Sequence, residues 1–465
     1  LGLAAGQKCF YTTPIKALSN QKYNDFVERY GAGRVGLLTG DNSVNGEAPI
    51  VVMTTEVLRN MLYAGSTSLA DLGYVVMDEV HYLGDRFRGA VWEEVIIHLA
   101  ASVRLVSLSA TVSNAEEFGE WLVSVRGQTQ VIVHEERPVP LWQHLLVGNR
   151  LFDLFAEDDA AGEQVVDPAL TRYLNERMRH LDPGAARQGH QRGRPLRGWR
   201  PPYRPDVLTR LDNDGLLPAI TFIFSRAGCD AAVRQCVQAG IWLTDEDERA
   251  QVLALIDERT AALSGDDLEV LGYWDWREGL RRGVAAHHAG MVPAFKETVE
   301  ELFVRGLVRA VFATETLALG INMPARTVVL ERLNKFNGEA HVDITPGEYT
   351  QLTGRAGRRG IDVEGHAVVL WAPEVDPGRV AGLASTRTYP LRSSFRPSYN
   401  MAVNLVGQLG RTAARGLLDS SFAQFQADRG VAGLLAQIRR NERVQDELAE
   451  QMQCHLGDFA EYAQL

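Results

Sequence analysis

Two short stretches carry residue types that could do phosphate chemistry. The first is Tyr74-Val75-Val76-Met77-Asp78-Glu79-Val80-His81. An apolar strand that delivers adjacent carboxylates to its carboxyl end is well placed for magnesium and a phosphate. Side chains alternate along a strand, so the two acids need not share a job. Asp78 would hold a hydrated metal, and Glu79 would orient or deprotonate an attacking water, itself touching the metal only through that water. An acidic helix start just past a strand fits the same two residues equally well. The second stretch is Gln351-Leu352-Thr353-Gly354-Arg355-Ala356-Gly357-Arg358-Arg359-Gly360. Gln351 and Arg355 are four apart and share a face if the segment is helical, and Arg358 follows three later. Guanidinium forks suit phosphate oxygens, and the interleaved glycines let a backbone come close. A solvated basic turn is the rival reading, and Gly354, Gly357 and Gly360 argue against it.

Both stretches lie in regions that repeat one pattern, an apolar run, small polar residues, then a helical segment. Cys9-Phe10-Tyr11 runs into Thr12-Thr13-Pro14, Ile50 to Met53 into Thr54-Thr55-Glu56, and Leu105 to Leu108 into Ser109-Ala110-Thr111. Further on, Ile220 to Phe224 meets Ser225-Arg226, and Val308 to Phe312 meets Ala313-Thr314-Glu315. Continuous apolar strands alternating with helices predict an α/β protein with parallel sheets covered on both faces. Such sheets bind ligands at the carboxyl ends of their strands, where these polar residues fall. Ser113-Asn114-Ala115-Glu116 and Thr345-Pro346-Gly347-Glu348 read as capping boxes. Between the two regions, Arg187 to Arg210 holds seven Arg and almost no aliphatic residues, which predicts a flexible basic tether. After Pro373 the pattern changes, and Val444, Leu448, Met452 and Leu456 predict an amphipathic helix.

The chain has 465 residues, enough at ~150 per domain for two or three domains. Apolar residues make up 45% and charged residues 23%, with a net charge of -11. That acidity argues against coating nucleic acid by bulk charge, but not against a strand held in a local groove. No apolar run reaches the ~18 residues of a membrane span, and no leader opens the sequence. Cys9, Cys229, Cys236 and Cys454 show no metal-binding spacing and read as free thiols of a cytoplasmic protein. His287-His288 is no metal pair on this reading, because adjacent histidines point apart. Trp274 and Trp276 are expected to pack rather than to stack bases. Leu1 falls in mid-pattern, so a fragment is expected.

Taken in order, these segments resemble the motifs of superfamily two helicases, specifically the superkiller-like DExH-box RNA helicases. Their spelling is most similar to HelY-type members from actinobacteria. Thr13 to Gln21 resembles motif Ia, and Leu38-Thr39-Gly40-Asp41 and Thr54-Thr55-Glu56 resemble the next strand-contacting motifs. Asp78-Glu79-Val80-His81 is the DEVH form of motif II, and Ser109-Ala110-Thr111 resembles motif III. Phe224-Ser225 resembles motif IV, and His287-His288-Ala289-Gly290 the motif after it. Thr314 to Pro324 resembles motif V, Gln351 to Gly360 motif VI, and Ser394 to Met401 the start of a winged helix.

The resemblance implies two RecA-like domains in tandem that use ATP and Mg2+. It implies a first domain at 1–140 without its Walker A start and a connecting segment at 141–215. A second RecA-like domain at 216–375, the start of a winged-helix domain at 376–430, and a helix at 431–465 leading to another domain would follow. Phe395 and Tyr399 are expected in the winged-helix core. Asp78 would serve the metal and Glu79 would be the base. Gln351 would lie near the γ-phosphate, with Arg355 and Arg358 as arginine fingers. Gly320 and Asn322 would border the nucleotide, while His81, Ser109, Ala110 and Thr111 would couple it to the strand-binding face. Thr13, Pro14, Lys16, Thr39, Gly40, Thr54, Thr55, Ser225 and Thr314 would grip the nucleic-acid backbone.

The implied activity is ATP-driven 3′-to-5′ unwinding of single-stranded or overhang-bearing RNA by a monomer, feeding decay or processing nucleases. A DNA-directed translocase and a non-hydrolysing binding module are the alternatives. One departure stands out. None of the five lysines (Lys8, Lys16, Lys22, Lys296, Lys335) follows a glycine, so the phosphate loop Gly-x-x-x-x-Gly-Lys-Ser/Thr is absent. In the family it precedes the strand at Lys8 to Tyr11, and is expected just before Leu1.

Overall fold

The structure, a computed structural model, describes residues 3–110, 112–134, 136–156, 165–181, 199–261, 263–318, 323–336, 339–386, 390–396 and 399–430, with 441, 444–445, 448, 453–454 and 457–458. It falls into two compact units, residues 1–133 with 390–465, and residues 134–389.

The first unit is built on a six-stranded sheet. Its strands are β1 (Lys8–Thr13), β2 (Val35–Leu38), β3 (Ser43–Val44), β4 (Ile50–Thr54), β5 (Leu72–Met77) and β6 (Arg104–Ser107), in the order β3-β2-β4-β1-β5-β6. All pairings are parallel except β2 with β3. Phe10, Val51, Val52 and Val75 are fully buried at its centre, which is why these strands read as unbroken apolar runs. β6 lies at the edge and alternates exposed and half-covered residues.

The second unit holds a seven-stranded sheet of β7 (Leu141–Val147), β8 (Arg150–Asp153), β9 (Ala219–Phe222), β10 (Val284–His287), β11 (Ala310–Ala313), β12 (Thr327–Leu330) and β15 (Gly365–Leu370). A separate antiparallel hairpin, β13 (Asn334–Phe336) with β14 (His341–Asp343), lies between β12 and β15 in the chain. The sheet order is β10-β11-β9-β12-β15-β7-β8. Both sheets are therefore α/β and predominantly parallel, the architecture expected of tandem RecA-like domains. Residues 141–153 do more than connect. β7 pairs parallel to β15 along six residues, and β8 turns back on β7 to close that edge.

Several local expectations give way to tertiary partners. The stretch ending at Arg210 is not uniformly a flexible tether. Residues 182–198 lie outside the described residues, but Arg204–Asn213 is a helix that buries Val207, Leu208 and Leu211, and Arg204 forks onto Glu331 at 2.8 and 2.9 Å. The Thr345 capping box forms with both of its hydrogen bonds. The Ser113 box does not. Asn114 caps the helix Ala115–Arg126 without a side-chain bond, because its amide is engaged with the backbone of Leu391.

Residues 390–396 and 399–426 pack within the first unit. Phe395 is buried with Met401 and Leu405, and Tyr63 and Ala90 pack against that cluster. Tyr399 is not in this core, since it is 93% exposed. Pro397 and Ser398 lie outside the described residues. The helix expected through Leu456 is interrupted, because Gln453–Cys454 pairs with Gly457–Asp458 as a short hairpin. Met452 and Leu456 themselves lie outside the described residues. Among the described residues no helix is long and apolar enough to cross a membrane.

Candidate functional site

In the first unit the DEVH turn begins where β5 ends. The Asp78 N–H donates to the Thr12 carbonyl at 2.9 Å, tying the turn to the neighbouring strand β1. The Tyr11 hydroxyl donates to Asp78 Oδ2 at 2.6 Å, and the Glu79 N–H donates to Asp78 Oδ1 at 3.0 Å. Each carboxylate oxygen thus takes one fixing bond and keeps acceptor capacity for a ligand. Burial, then the adjacent Asp78, push the Tyr11 phenol well above its ordinary range, so it remains a donor.

Glu79 has φ 52°, in the left-handed region that a non-glycine residue occupies at a cost of about 1–3 kcal/mol. The turn is held there by the Val80 N–H, which donates to Leu108 O at 2.8 Å. Backbone strain of this kind clusters at working sites. Among the described residues no three His, Cys, Asp or Glu side chains form a metal cage. Magnesium rarely needs one, since it keeps several waters and takes one or two carboxylates beside substrate phosphates. The pre-oriented Asp78 carboxylate fits that mode.

His81 joins this turn to the next segment. Its Nδ1 accepts the Ala110 N–H at 3.2 Å, and Glu79 Oε2 lies 3.3 Å from the same nitrogen. Burial depresses the imidazole to about 4, which favours the neutral ring whose Nδ1 accepts this bond. Ser109 and Ala110 are exposed, while Thr111 lies outside the described residues.

The backbone-gripping residues expected on β1, β2 and β4 converge on one polar rim at the carboxyl ends of those strands. Thr13, Thr54 and Thr55 are buried rather than displayed. Thr13 Oγ1 shares a hydrogen bond with Ser19 Oγ at 2.7 Å, and the Thr55 hydroxyl donates to Thr13 O at 3.2 Å. Lys16 pairs with Asp41 at 2.9 Å, and the Thr39 hydroxyl donates to the same carboxylate oxygen at 3.1 Å, beside Gly40. Arg88 completes the rim. It donates to Glu56 at 2.7 Å and to the Pro14 carbonyl at 2.8 Å, so one guanidinium ties motif Ia to the Thr-Thr-Glu segment. No spacing in the sequence marks Arg88, because it lies 74 residues beyond Pro14.

In the second unit the expected residues again follow strand ends. Ser225 caps the helix Arg226–Gln238, its Oγ accepting the Gly228 N–H at 3.2 Å. The Thr314 N–H donates to His287 O at 3.3 Å across the ends of β11 and β10, and its hydroxyl lies 3.0 Å from that of Thr316. Gly320 and Asn322 lie outside the described residues. His287 and His288 face different carboxylates, Glu300 at 2.8 Å and Asp230 at 2.9 Å. Trp276 stacks on Phe295 with centroids 4.0 Å apart, whereas Trp274 is 65% exposed.

Motif VI departs from a continuous helix. The helix Pro346–Thr353 carries Gln351 but ends before Arg355, so those two residues do not share one helical face. Arg355 donates from the following turn to the Ala318 carbonyl of motif V. Arg358 lies past Gly357 (φ 86°) and forks onto Asp362 with two 2.8 Å bonds. Gly357 is needed for packing as well as conformation, since a Cβ there would come within 2.7 Å of Val139.

Two tandem α/β units, with strand-end acids in one and clustered arginines in the other, match the arrangement expected of a helicase core. Residues 2–118 match the DEAD/DEAH box helicase family, and residues 238–360 the helicase conserved C-terminal domain. The whole chain is 64% identical to Probable helicase HelY of Mycobacterium tuberculosis, covering 52% of that protein. It is 39% identical to human Superkiller complex protein 2 over 90% of the chain and 34% of that protein. It is 38% identical to human Exosome RNA helicase MTR4 over 95% of the chain and 42% of that protein. The chain thus carries both helicase domains and is similar along its length to superkiller-like DExH-box helicases. It spans about half the length of the HelY relatives it matches.

Proposed function

We propose that this chain is the motor of an ATP-dependent RNA helicase that moves 3′ to 5′ and serves RNA decay or processing in the cytoplasm, alongside a nuclease. The observation that carries the reading is the run of contacts from the strand-end acids into motif III: Tyr11 and the Glu79 N–H donate to Asp78, Glu79 Oε2 lies 3.3 Å from His81 Nδ1, and the Ala110 N–H donates to that nitrogen. Asp78 would hold magnesium, which when bound supplies charge neutralisation at the phosphates. Glu79 would take the proton of the attacking water, and Gln351, Arg355 and Arg358 would engage the γ-phosphate. Gly320 and Asn322 would border the nucleotide. Neutral His81 would report the state of Glu79 to Ser109, Ala110 and Thr111.

The rim formed by Thr13, Pro14, Lys16, Thr39, Gly40, Thr54 and Thr55, with Ser225 and Thr314 in the second unit, would contact the strand. The hydroxyls of Thr13 and Thr55 are bonded internally, so those two residues shape the rim while backbone amides and Lys16 reach the sugar-phosphate chain. RNA as substrate is supported by the name of the exosome relative, an RNA helicase. Unwinding of RNA–DNA hybrids with either strand carrying the 3′ overhang tests it. Activity only from an RNA overhang is expected, and activity only from a DNA overhang would assign the chain to DNA.

A further inference from the structure

Lys335 sits on the first strand of the β13–β14 hairpin, outside every motif considered above. Its ammonium lies 2.5 Å from Glu315 Oε2 and 2.8 Å from Glu348 Oε1. Glu315 directly follows Thr314 at the end of β11. Glu348 is in the first turn of the helix that carries Gln351. The other oxygen of Glu348 accepts the Thr345 N–H at 2.7 Å and its hydroxyl at 3.0 Å. One carboxylate is therefore divided between the cap of its own helix and the hairpin lysine. In the turn just past the same helix, Arg355 donates to Ala318 O of motif V. The helix that leads into motif VI is thus tied to motif V near its start, and the turn just past it is tied there as well.

We propose that Lys335 is a positioning residue that sets the motif VI helix against motif V, so that nucleic acid held at motif V governs the placement of Gln351 and Arg355. An exposed ion pair would be too weak to do this, because solvent screens it. The Lys335 side chain is only 18% exposed, however, and it bridges two carboxylates rather than one. Without it, Glu315 and Glu348 would be left facing each other with no cation between them, and like charges would part the two segments. The two glutamates hold the ammonium above its ordinary range although burial opposes them, so the bridge stays charged at working pH.

The inference rests on the helicase reading, and its test separates the two. In the full-length protein, Lys335→Met should raise amide exchange about tenfold or more at residues 346–358 while leaving β9 unchanged, and Lys335→Arg should restore protection. The same Lys335→Met protein should lose about tenfold in RNA-stimulated turnover, with unstimulated turnover and ATP KM unchanged. Unaltered exchange at 346–358 would overturn the tie, whatever the activity. Equal losses in stimulated and unstimulated turnover would reduce Lys335 to a structural residue and overturn its positioning role. A wild-type protein that RNA never stimulates would sink the helicase reading instead, and the exchange result would still decide whether Lys335 holds the helix.

Discussion

The carboxylate of Glu93 accepts the backbone N–H of Phe422 at 2.7 Å, across 329 residues of sequence. The same acid accepts the Ser393 hydroxyl, and it is fully buried. Around it the Trp121 indole donates to Ser420 O at 2.8 Å, and the Phe422 ring meets Phe118 edge to face. Ser394 donates to the carbonyl of Leu83, which lies in the 3-10 turn that follows Glu79. The segment after the second unit thus returns to the first and braces the back of the DEVH turn.

Burial raises the Glu93 carboxyl to about 7, against the pull of its hydrogen-bond donors. A raised folded-state value means that the folded unit holds this proton more tightly than the unfolded chain does. The stabilisation is fully present below about pH 4.5 and is lost as pH rises through 7. Glu93→Gln removes the titration. The stability difference between wild type and variant should therefore shift by roughly 3 kcal/mol between pH 4.5 and 8, favouring wild type at the acid end. His81, whose lowered value works in the opposite sense, is common to both proteins and cancels. Urea unfolding followed by the buried Trp92 and Trp121 measures it, and a difference independent of pH would disprove the assignment.

Glu79 is held in a left-handed turn with its acid 3.3 Å from His81 Nδ1, and it is the base of the proposed mechanism. In a protein that carries the phosphate loop, Glu79→Gln should lower ATP turnover by about 10²–10⁴-fold. RNA affinity should stay within about twofold, because no strand contact is assigned to Glu79. Turnover unimpaired by this change, measured by phosphate release, would favour the non-hydrolysing binding module.

Arg358 is forked onto Asp362, and that carboxylate holds the guanidinium above its ordinary range. If the positive charge at Arg358 acts on the transferring phosphoryl group, Arg358→Ala should lower turnover by about 10³-fold or more. Asp362→Ala keeps the charge and loses only its orientation, so a loss of about tenfold is expected. Steady-state kinetics distinguish the two. Equal losses would mean that the fork itself, rather than the free charge, is the working part.

What was legible in the sequence was whatever is encoded within a few residues. The apolar strands, the Asp78-Glu79 strand end and the Thr345 cap depend on neighbours, and they read correctly. The Ser113 box failed because Leu391, which claims the Asn114 amide, lies 277 residues away. The helix through Arg355 failed for a related reason. The backbone turns at Gly357 to pack against Val139, and periodicity cannot foresee that close approach. Arg88, Lys335 and Glu93 were invisible because an isolated charged residue looks solvated until the fold supplies its partner.

Among the described residues the edge strand β6 pairs with β5 alone, and Val106 and Leu108 remain 42% and 43% exposed there. An open apolar edge on a parallel sheet is a template for another strand. None of the five lysines follows a glycine, so these 465 residues contain no phosphate-cradling loop to face Asp78 and Glu79. The chain by itself should therefore turn over ATP at close to background even with RNA present. A longer protein that brings Gly-x-x-x-x-Gly-Lys-Ser/Thr on a strand beside β6 should do two things together. It should restore RNA-stimulated turnover, and it should protect the amides of residues 104–108 from exchange. Full turnover by the 465 residues alone would show that the loop is dispensable. Protection without turnover would leave a strand that completes the sheet but no catalyst, and would move the protein to the binding class.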